Sequence, residues 1–243
     1  MGFGGGAKWS PLRMPDLVAA YLGEDVPDGA VVSVVRRVGT TNMTVTGTAV
    51  AAGGLIAMAG DGIAKAAFTW SAPFTRYIVF RNTDVYVASF RTICDGASGT
   101  YTPMFDHSSA AAVRVYNGTS NFTGAHAYDQ SWHIWCQGCG ASGEANGTII
   151  RDLTTLKSNG ALATMPNPGG ITIGGTSGST RRGPCAWAMA LCFSGLHDAV
   201  TSAKIIAWML ARAQSVYGIL TVAGFTWAAN TWAQNAWMGN AWL

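Results

Sequence analysis

The chain has 243 residues, of which 49% are apolar and 11% are charged, and its formal net charge is +3. Globular domains usually carry about 25% charged residues, so we expect a Ser-, Thr- and Asn-rich surface, or one partly covered by partners. The weak, scattered positive charge argues against nucleic-acid binding, and no apolar run is long enough to span a membrane.

Short apolar or alternating segments bounded by Gly, Asn and Pro recur along most of the chain. Such segments are typical of β-strands, and the Asn117-Gly118 pair after one of them predicts a tight turn. The predicted strands lie at residues 31–35, 77–80, 85–87, 112–116, 132–136, 148–153, 171–173 and 186–193. Because strands do not alternate with helices here, the order predicts an all-β antiparallel β-sandwich or jelly roll.

One segment near the end of the chain has helical periodicity instead. Between Asp198 and Tyr217 the apolar residues fall on an i, i+3, i+4 stripe. Asp198 is a suitable N-cap residue, and Gly218 is suitable for ending the helix. We therefore predict an amphipathic helix over residues 198–217 that packs on the edge or outer face of the sandwich.

The order of these late elements resembles a known family. The sequence ITIGG at residues 171–175 is followed by the apolar strand WAMALCF at 187–193, a short polar turn and the helix. This pattern is similar to the C-terminal half of concanavalin A-like lectin/glucanase (laminin-G-like) jelly rolls, including those of bacteriophage structural proteins. Residues 16–21 would match the first strand and 93–96 a central strand and turn. The resemblance implies a jelly roll over residues 16–218, with arms at 1–15 and 219–243.

The C-terminal arm carries a tryptophan at every fifth position. A five-residue step keeps side chains on one face of neither a helix nor a strand. The spacing suits one coil of a pentad β-helix, which cannot bury its own core, or an irregular arm whose indoles fill pockets elsewhere. Both alternatives need apolar surface from another subunit, another protein or the sandwich itself. The predicted assembly contacts are Phe225, Trp227, Trp232, Trp237 and Trp242.

The resemblance also implies carbohydrate binding. Aromatic faces pack on the C–H patches of sugars, while Asn, Asp and backbone groups bind the hydroxyls. The candidates concentrate between residues 100 and 132, which the sequence pattern predicts to be loop-rich. They are Tyr101, His107, Tyr116, Asn117, Asn121, Phe122, His126, Tyr128 and Trp132. The alternative is that these aromatic residues pack in the core or in an interface.

Catalytic patterns are weak in this chain. Glucanases with the fold it resembles carry their carboxylates as E-x-D-x-x-E on one strand, whereas the two glutamates here, Glu24 and Glu144, lie in loop-like sequence. There is no nucleophile elbow and no phosphate-binding glycine loop. We therefore expect neither an enzyme nor a cofactor.

Five cysteines leave several possibilities open. Cys136 and Cys139 form a Cys-x-x-Cys pair near His133, a spacing compatible with zinc. A disulfide, within the chain or between subunits, is a second possibility. The odd count and the absence of a secretory-signal pattern in residues 1–6 disfavour a disulfide framework. We expect buried free thiols and no metal, with zinc on these three residues as the alternative.

These observations predict a non-enzymatic structural protein of a bacteriophage virion. It would be a capsid decoration, neck/collar or tail-surface subunit at the particle surface, with other virion proteins and copies of itself as partners. The alternative is a fibre or spike adhesin that binds host cell-surface polysaccharide. Neither function involves nucleic acid or a membrane.

Overall fold

The computed structural model describes residues 9–87, 90–99, 101–176 and 183–219. In these residues two antiparallel sheets face each other, and a single long helix covers the outside of one of them. We call the covered sheet the helix-side sheet and the other the far sheet. The predicted antiparallel β-sandwich with one C-terminal helix is confirmed.

The helix-side sheet has ten strands. Its main path, from edge to edge, is β16 (Thr154–Gly160), β15 (Gly147–Arg151), β14 (His133–Cys139), β9 (Phe74–Asn82), β18 (Cys185–Ser194), β7 (Leu55–Met58), β6 (Ala49–Ala52) and β2 (Gly29–Ala30). Two further strands join it, because β1 (Leu17–Leu22) pairs with both β18 and β4 (Arg36–Val38).

The far sheet has eight strands. Their order is β13 (Asn121–Ala125), β12 (Ala112–Tyr116), β11 (Met104–Ser109), β10 (Arg91–Asp95), β17 (Gly170–Ile173), β8 (Ile63–Ala67), β5 (Met43–Thr46) and β3 (Ser33–Val34). Strands β10 to β13 are consecutive in the chain and in the sheet, so residues 91–125 form a meander.

Alternation of side chains along the strands places one apolar layer between the sheets. Trp187 on β18 and Phe80 on β9 lie in this layer with Phe105 on β11, and all three are buried. Strand β18 is buried on both faces, because its other face lies under the helix. Its continuous apolar sequence is therefore required by two cores and not by one.

The helix α1 (Ala199–Tyr217) has the termini that its sequence predicts. The side chain of Asp198 accepts a hydrogen bond from the backbone N–H of Thr201, and Gly218 adopts a left-handed conformation with φ of 64°. Ile206 and Met209 on its apolar stripe are buried against the helix-side sheet. The predicted packing on the outer face is confirmed, and no described helix is long and apolar enough to cross a membrane.

The strand predictions succeed where the apolar pattern is strong. Strand β12 has the predicted bounds, and β9, β14, β15, β17 and β18 overlap their predicted segments. Two expectations are wrong. Residues 85–87 form no strand, and Val85 and Val87 are exposed. Loops are expected on both sides of the predicted strand β12, but β11 and β13 lie there.

We predict that Ile206→Ala lowers the free energy of unfolding by about 3 kcal/mol, since a buried isoleucine leaves a cavity when it is truncated. Val200→Ala on the exposed side of the same helix is the matched control, and its effect should stay within about 0.5 kcal/mol. Urea unfolding of both variants measures the difference. Equal stability of the two variants would show that the helix does not pack as described.

Candidate functional site

The loop after β10 is fixed by one buried carboxylate. Asp95 accepts hydrogen bonds from the backbone N–H groups of Gly96 at 2.8 Å, Tyr101 at 2.9 Å and Thr102 at 2.7 Å. Burial raises the pKa of Asp95 to about 6, although these amide hydrogen bonds and Arg76 oppose the rise. The bonds hold Tyr101 in a left-handed conformation with φ of 63°, so the position of its side chain is set by the core.

Tyr101 ends a line of side chains on the outer face of the far sheet. Its ring centroid lies 5.2 Å from that of Tyr116. The guanidinium carbon of Arg114 lies 4.4 Å from the ring centroid of Tyr116 and 4.3 Å from that of Phe90. These four partly exposed residues are named the aromatic row. Arg114 and Tyr116 share the outer face because the alternate residues of β12, Val113 and Val115, point into the core.

The guanidinium of Arg114 in the aromatic row is fixed by a buried carboxylate. Arg114 donates from Nε to Asp106 Oδ1 at 2.9 Å and from Nη2 to Asp106 Oδ2 at 3.2 Å. Asp106 has no exposed surface, so its charge depends on this two-point contact. The contact holds the guanidinium of Arg114 within cation–π distance of the rings of Phe90 and Tyr116.

The predicted Asn117-Gly118 turn lies beside the aromatic row. Asn117 Oδ1 accepts from the backbone N–H groups of Thr119 at 3.0 Å and Ser120 at 2.7 Å. The Tyr116 hydroxyl donates to the carbonyl oxygen of Gly118. This hydrogen bond fixes the ring of Tyr116 to the turn.

A second group of chemically active side chains lies between the sheets, at the ends of β11 and β13 and the start of β14. The ring centroids of His107 and His133 lie 5.5 and 5.3 Å from that of His126. All three rings contact Trp135, with centroids 5.0 to 5.7 Å away. We call these three residues the histidine cluster. Each of them is buried.

Hydrogen bonds with charged residues orient the rings of His133 and His126. His133 Nδ1 lies 3.0 Å from Asp152 Oδ2, and its Nε2 lies 2.9 Å from Asp129 Oδ1. His126 Nδ1 accepts from Arg151 Nη1 at 2.7 Å. Since a guanidinium only donates, the proton of a neutral His126 ring lies on Nε2.

Burial keeps two of the rings neutral. Desolvation lowers the pKa of His107 to about 3, and the neighbouring His126 and His133 lower it further in the same direction. Desolvation also lowers the pKa of His126 to about 4, with Arg151 and His133 adding to the effect and Asp129 opposing it. Groups with displaced pKa values concentrate at functional sites.

The outer edge of the histidine cluster is aromatic. Tyr128 lies against His107 with ring centroids 4.9 Å apart and against Tyr86 at 5.2 Å. The Tyr128 hydroxyl donates to Asp84 Oδ1 at 2.9 Å, and Arg91 donates to Asp84 Oδ2 at 2.7 Å. The pair Tyr86 and Tyr128 is partly exposed, unlike the histidines behind it.

The predicted carbohydrate-binding residues therefore fall into several separate places. Tyr101 and Tyr116 belong to the aromatic row. His107, His126 and Tyr128 lie together at the histidine cluster. His107 lies on β11 and not in a loop, and both histidines are buried.

Three more of the predicted residues lie apart from both groups. Phe122 is buried in the core. Trp132 packs on the helix side, with its ring 5.0 Å from the guanidinium carbon of Arg81. Asn121 is exposed at the start of β13. Of these, Phe122 has no surface to offer a ligand.

The zinc alternative on His133, Cys136 and Cys139 is wrong. All three residues lie on strand β14, where residues three apart point to opposite faces. Cys139 lies in the core between the sheets, and Cys136 lies in the core under the helix. The five cysteines are free and buried, as the expectation of buried thiols requires, and burial raises the pKa of Cys136 to about 12.

The predicted assembly contacts lie outside the described residues. These are Phe225, Trp227, Trp232, Trp237 and Trp242. The predicted domain bounds likewise stay predictions.

Sequence reasoning missed Arg114, Trp135 and Asp152. Arg114 carried a usable signal, because it alternates with two valines directly before a predicted turn. The contacts of Trp135 with His107 and His126, and of Asp152 with His133, join residues from different strands and loops, so no local pattern marks them.

The sequence matches no known family model and no curated protein. Solved structures do resemble it. A Trypanosoma rangeli sialidase in complex with sialic acid matches with a TM-score of 0.62 and 10% identity, over 83% of this chain and 34% of that one. The binding domain of botulinum neurotoxin DC in complex with SialylT matches with a TM-score of 0.60 and 10% identity, over 80% of this chain and 52% of that one.

Botulinum neurotoxin type C, whose cell entry is described as dependent upon two ganglioside molecules, matches with a TM-score of 0.53 and 12% identity, over 77% of this chain and 52% of that one. The chain thus spans between a third and about half of these neighbours. At such low identity the likeness establishes a shared β-sandwich fold and nothing finer.

We predict that His107 makes the protein acid-sensitive. Its pKa is lower in the folded than in the unfolded chain, where it is about 6.5, so the unfolded state binds more protons below that pH. The stability is present above pH 6.5 and is lost as the pH falls, by about 2 kcal/mol between pH 7 and pH 5. Urea unfolding in EDTA at both pH values, for wild type and His107→Gln, isolates this contribution. An equal loss in both proteins would contradict it.

Proposed function

We propose that this chain is a glycan-binding β-sandwich domain without catalytic activity, and that its binding surface is the aromatic row. The observation that carries the proposal is the line of Phe90, Arg114, Tyr116 and Tyr101, whose rings and guanidinium are in contact and partly exposed. Sugar rings bind to such faces through their C–H patches, while nearby polar groups fix the hydroxyls.

The aromatic row is held in place before any ligand arrives. Asp95 fixes the loop of Tyr101, and Asp106 fixes Arg114. Both carboxylates are fully buried, so they are parts of the fold and not of a mobile surface. Preorganisation favours binding because little conformational entropy is lost when the ligand is bound.

Sialylated glycans are the first ligands to test. The neighbours' descriptions name sialic acid for the sialidase, SialylT for one toxin domain and gangliosides for another toxin. Arg114 lies at the centre of the aromatic row, where a guanidinium edge suits a sugar carboxylate. Because Asp106 already pairs with this guanidinium, we expect Arg114 to orient a sugar carboxylate more than to attract it by net charge.

The carboxylate nearest the aromatic row, Asp106, is not placed to hydrolyse a bound glycan. Glycosidases need one carboxyl group as acid and a second as nucleophile or base. Asp106 is buried and held at two points by Arg114, so it is not positioned to attack a sugar. We therefore expect no release of sugar from a bound glycan.

We also propose, from the sequence of the C-terminal arm, that the domain is displayed as one of many copies on a bacteriophage particle, as a surface subunit or as part of a fibre. The observation behind this second proposal is the five-residue tryptophan spacing. Multivalent display would turn a weak affinity for each glycan into useful avidity.

For the aromatic row, we predict that Tyr101→Ala and Tyr116→Ala each weaken binding of a sialylated oligosaccharide at least about tenfold, which corresponds to about 1.4 kcal/mol. Calorimetric titration or a glycan array measures the affinity. Tyr86→Ala is the matched control, since it removes a partly exposed ring paired with Tyr128 at the histidine cluster. Equal losses in all three variants, or no binding of wild type to any glycan, would overturn the proposal.

For the arm, we predict that a chain truncated after Gly218 self-associates less than the full chain, because the apolar arm is removed. Sedimentation velocity at several concentrations measures this. The matched control keeps the length and replaces the four arm tryptophans with serine, and it should behave like the truncated chain. An unchanged oligomeric state in both variants would refute the role of the arm.

A further inference from the structure

Three residues at the histidine cluster have the chemistry of a metal site. His126, Asp129 and His133 each place one ligand atom within 4.8 Å of the others. We propose that they bind one divalent transition-metal ion such as Zn²⁺. This site goes beyond glycan binding and is independent of it.

The distances suit an ion between these groups. His133 Nε2 and Asp129 Oδ1 are 2.9 Å apart. Two ligands about 2.1 Å from a tetrahedral zinc ion lie about 3.4 Å from each other. A half-ångström opening of this pair therefore brings it to the separation of two zinc ligands. His126 supplies the third ligand atom, because its Nε2 is buried without a hydrogen-bond partner.

The hydrogen bonds of His133 point to the same conclusion. Both of its ring nitrogens face carboxylate oxygens, and a neutral imidazole can donate to only one of them. Either a second proton or a metal ion must lie at the other contact. If the buried Asp152 accepts a hydrogen bond from Nδ1, Nε2 has a lone pair that faces Asp129 and can bind a metal ion. Metal-binding histidines commonly have such an outer carboxylate.

The residue types select the class of ion. Two imidazoles and one carboxylate suit Zn²⁺ and its first-row neighbours, whereas Ca²⁺ and Mg²⁺ prefer oxygen ligands alone. The side chain of Asp129 is 39% exposed, so an ion can enter from solvent. Three protein ligands leave a fourth position for water.

Arg151 competes with the ion for His126. It donates to His126 Nδ1 and so keeps the ring proton on Nε2, the nitrogen that the ion needs. When a metal ion binds Nε2, the ring proton must move to Nδ1. Arg151 must then leave Nδ1, because a guanidinium cannot accept a hydrogen bond from Nδ1–H. A glutamine at this position could accept a hydrogen bond from Nδ1–H through its side-chain oxygen and would add no positive charge.

Zinc titration of the full chain after EDTA dialysis tests the proposal, by calorimetry and by measurement of bound zinc. Wild type should bind one equivalent. Asp129→Asn should weaken zinc binding at least about tenfold. Because Asp129 is partly exposed, we expect this variant to fold, and thermal melting without zinc checks this. His197→Asn is the matched control, because His197 and Asp16 form a similar pair at 2.8 Å, and it should bind like wild type.

Arg151→Gln gives the sharper test, because it removes the guanidinium that competes for His126 and should therefore bind zinc more tightly than wild type. Cobalt(II) absorption distinguishes the site from the buried thiols, since nitrogen and oxygen ligands give no thiolate charge-transfer band. The proposal is overturned if wild type binds no stoichiometric zinc, if Asp129→Asn binds it equally well, or if Arg151→Gln binds it more weakly. Glycan binding is not measured in these titrations, so its failure would not decide the outcome.

Discussion

The structure depends on one constraint, which is that a polar side chain buried between the two sheets is costly unless it finds a partner there. Arg76 shows this in the middle of the sandwich, where it is buried and donates to the side chain of Gln137 and to the carbonyl oxygen of Pro103. Such groups are costly when unpaired. Chemically active residues therefore collect where the strands end and loops or solvent can complete their contacts, as at the histidine cluster.

The sequence predicts the parts of the fold that are set locally. Helix α1 and strand β12 follow from periodicity and from Asp198, Gly218 and the Asn117-Gly118 turn, because these signals act within a few residues. Strand β11 was missed because Asp106 and His107 resemble loop residues. Their burial is supported by residues from other strands, with Arg114 bound to Asp106 and with Asn82 and Trp135 in contact with His107. Contacts between strands are not a local property of the sequence.

The candidate sites show the same limit. Tyr101 and Tyr116 were predicted from residue type, but their contact depends on how Asp95 folds the loop. The zinc alternative failed for a reason that the sequence already contained, since a predicted strand over residues 132–136 places residues three apart on opposite faces. The grouping of His126, Asp129 and His133 requires the turn between β13 and β14, which strand patterns alone do not specify.

The two sites share a physical design that links stability to function. At the aromatic row the buried Asp106 holds Arg114, and at the histidine cluster the buried Asp152 holds His133. Removing the partner of a buried carboxylate leaves an uncompensated charge, which commonly destabilises a protein by about 3–5 kcal/mol. The fold therefore keeps both partners in place whether or not a ligand is present. The same contact therefore supports the fold and orients Arg114 in one place and His133 in the other.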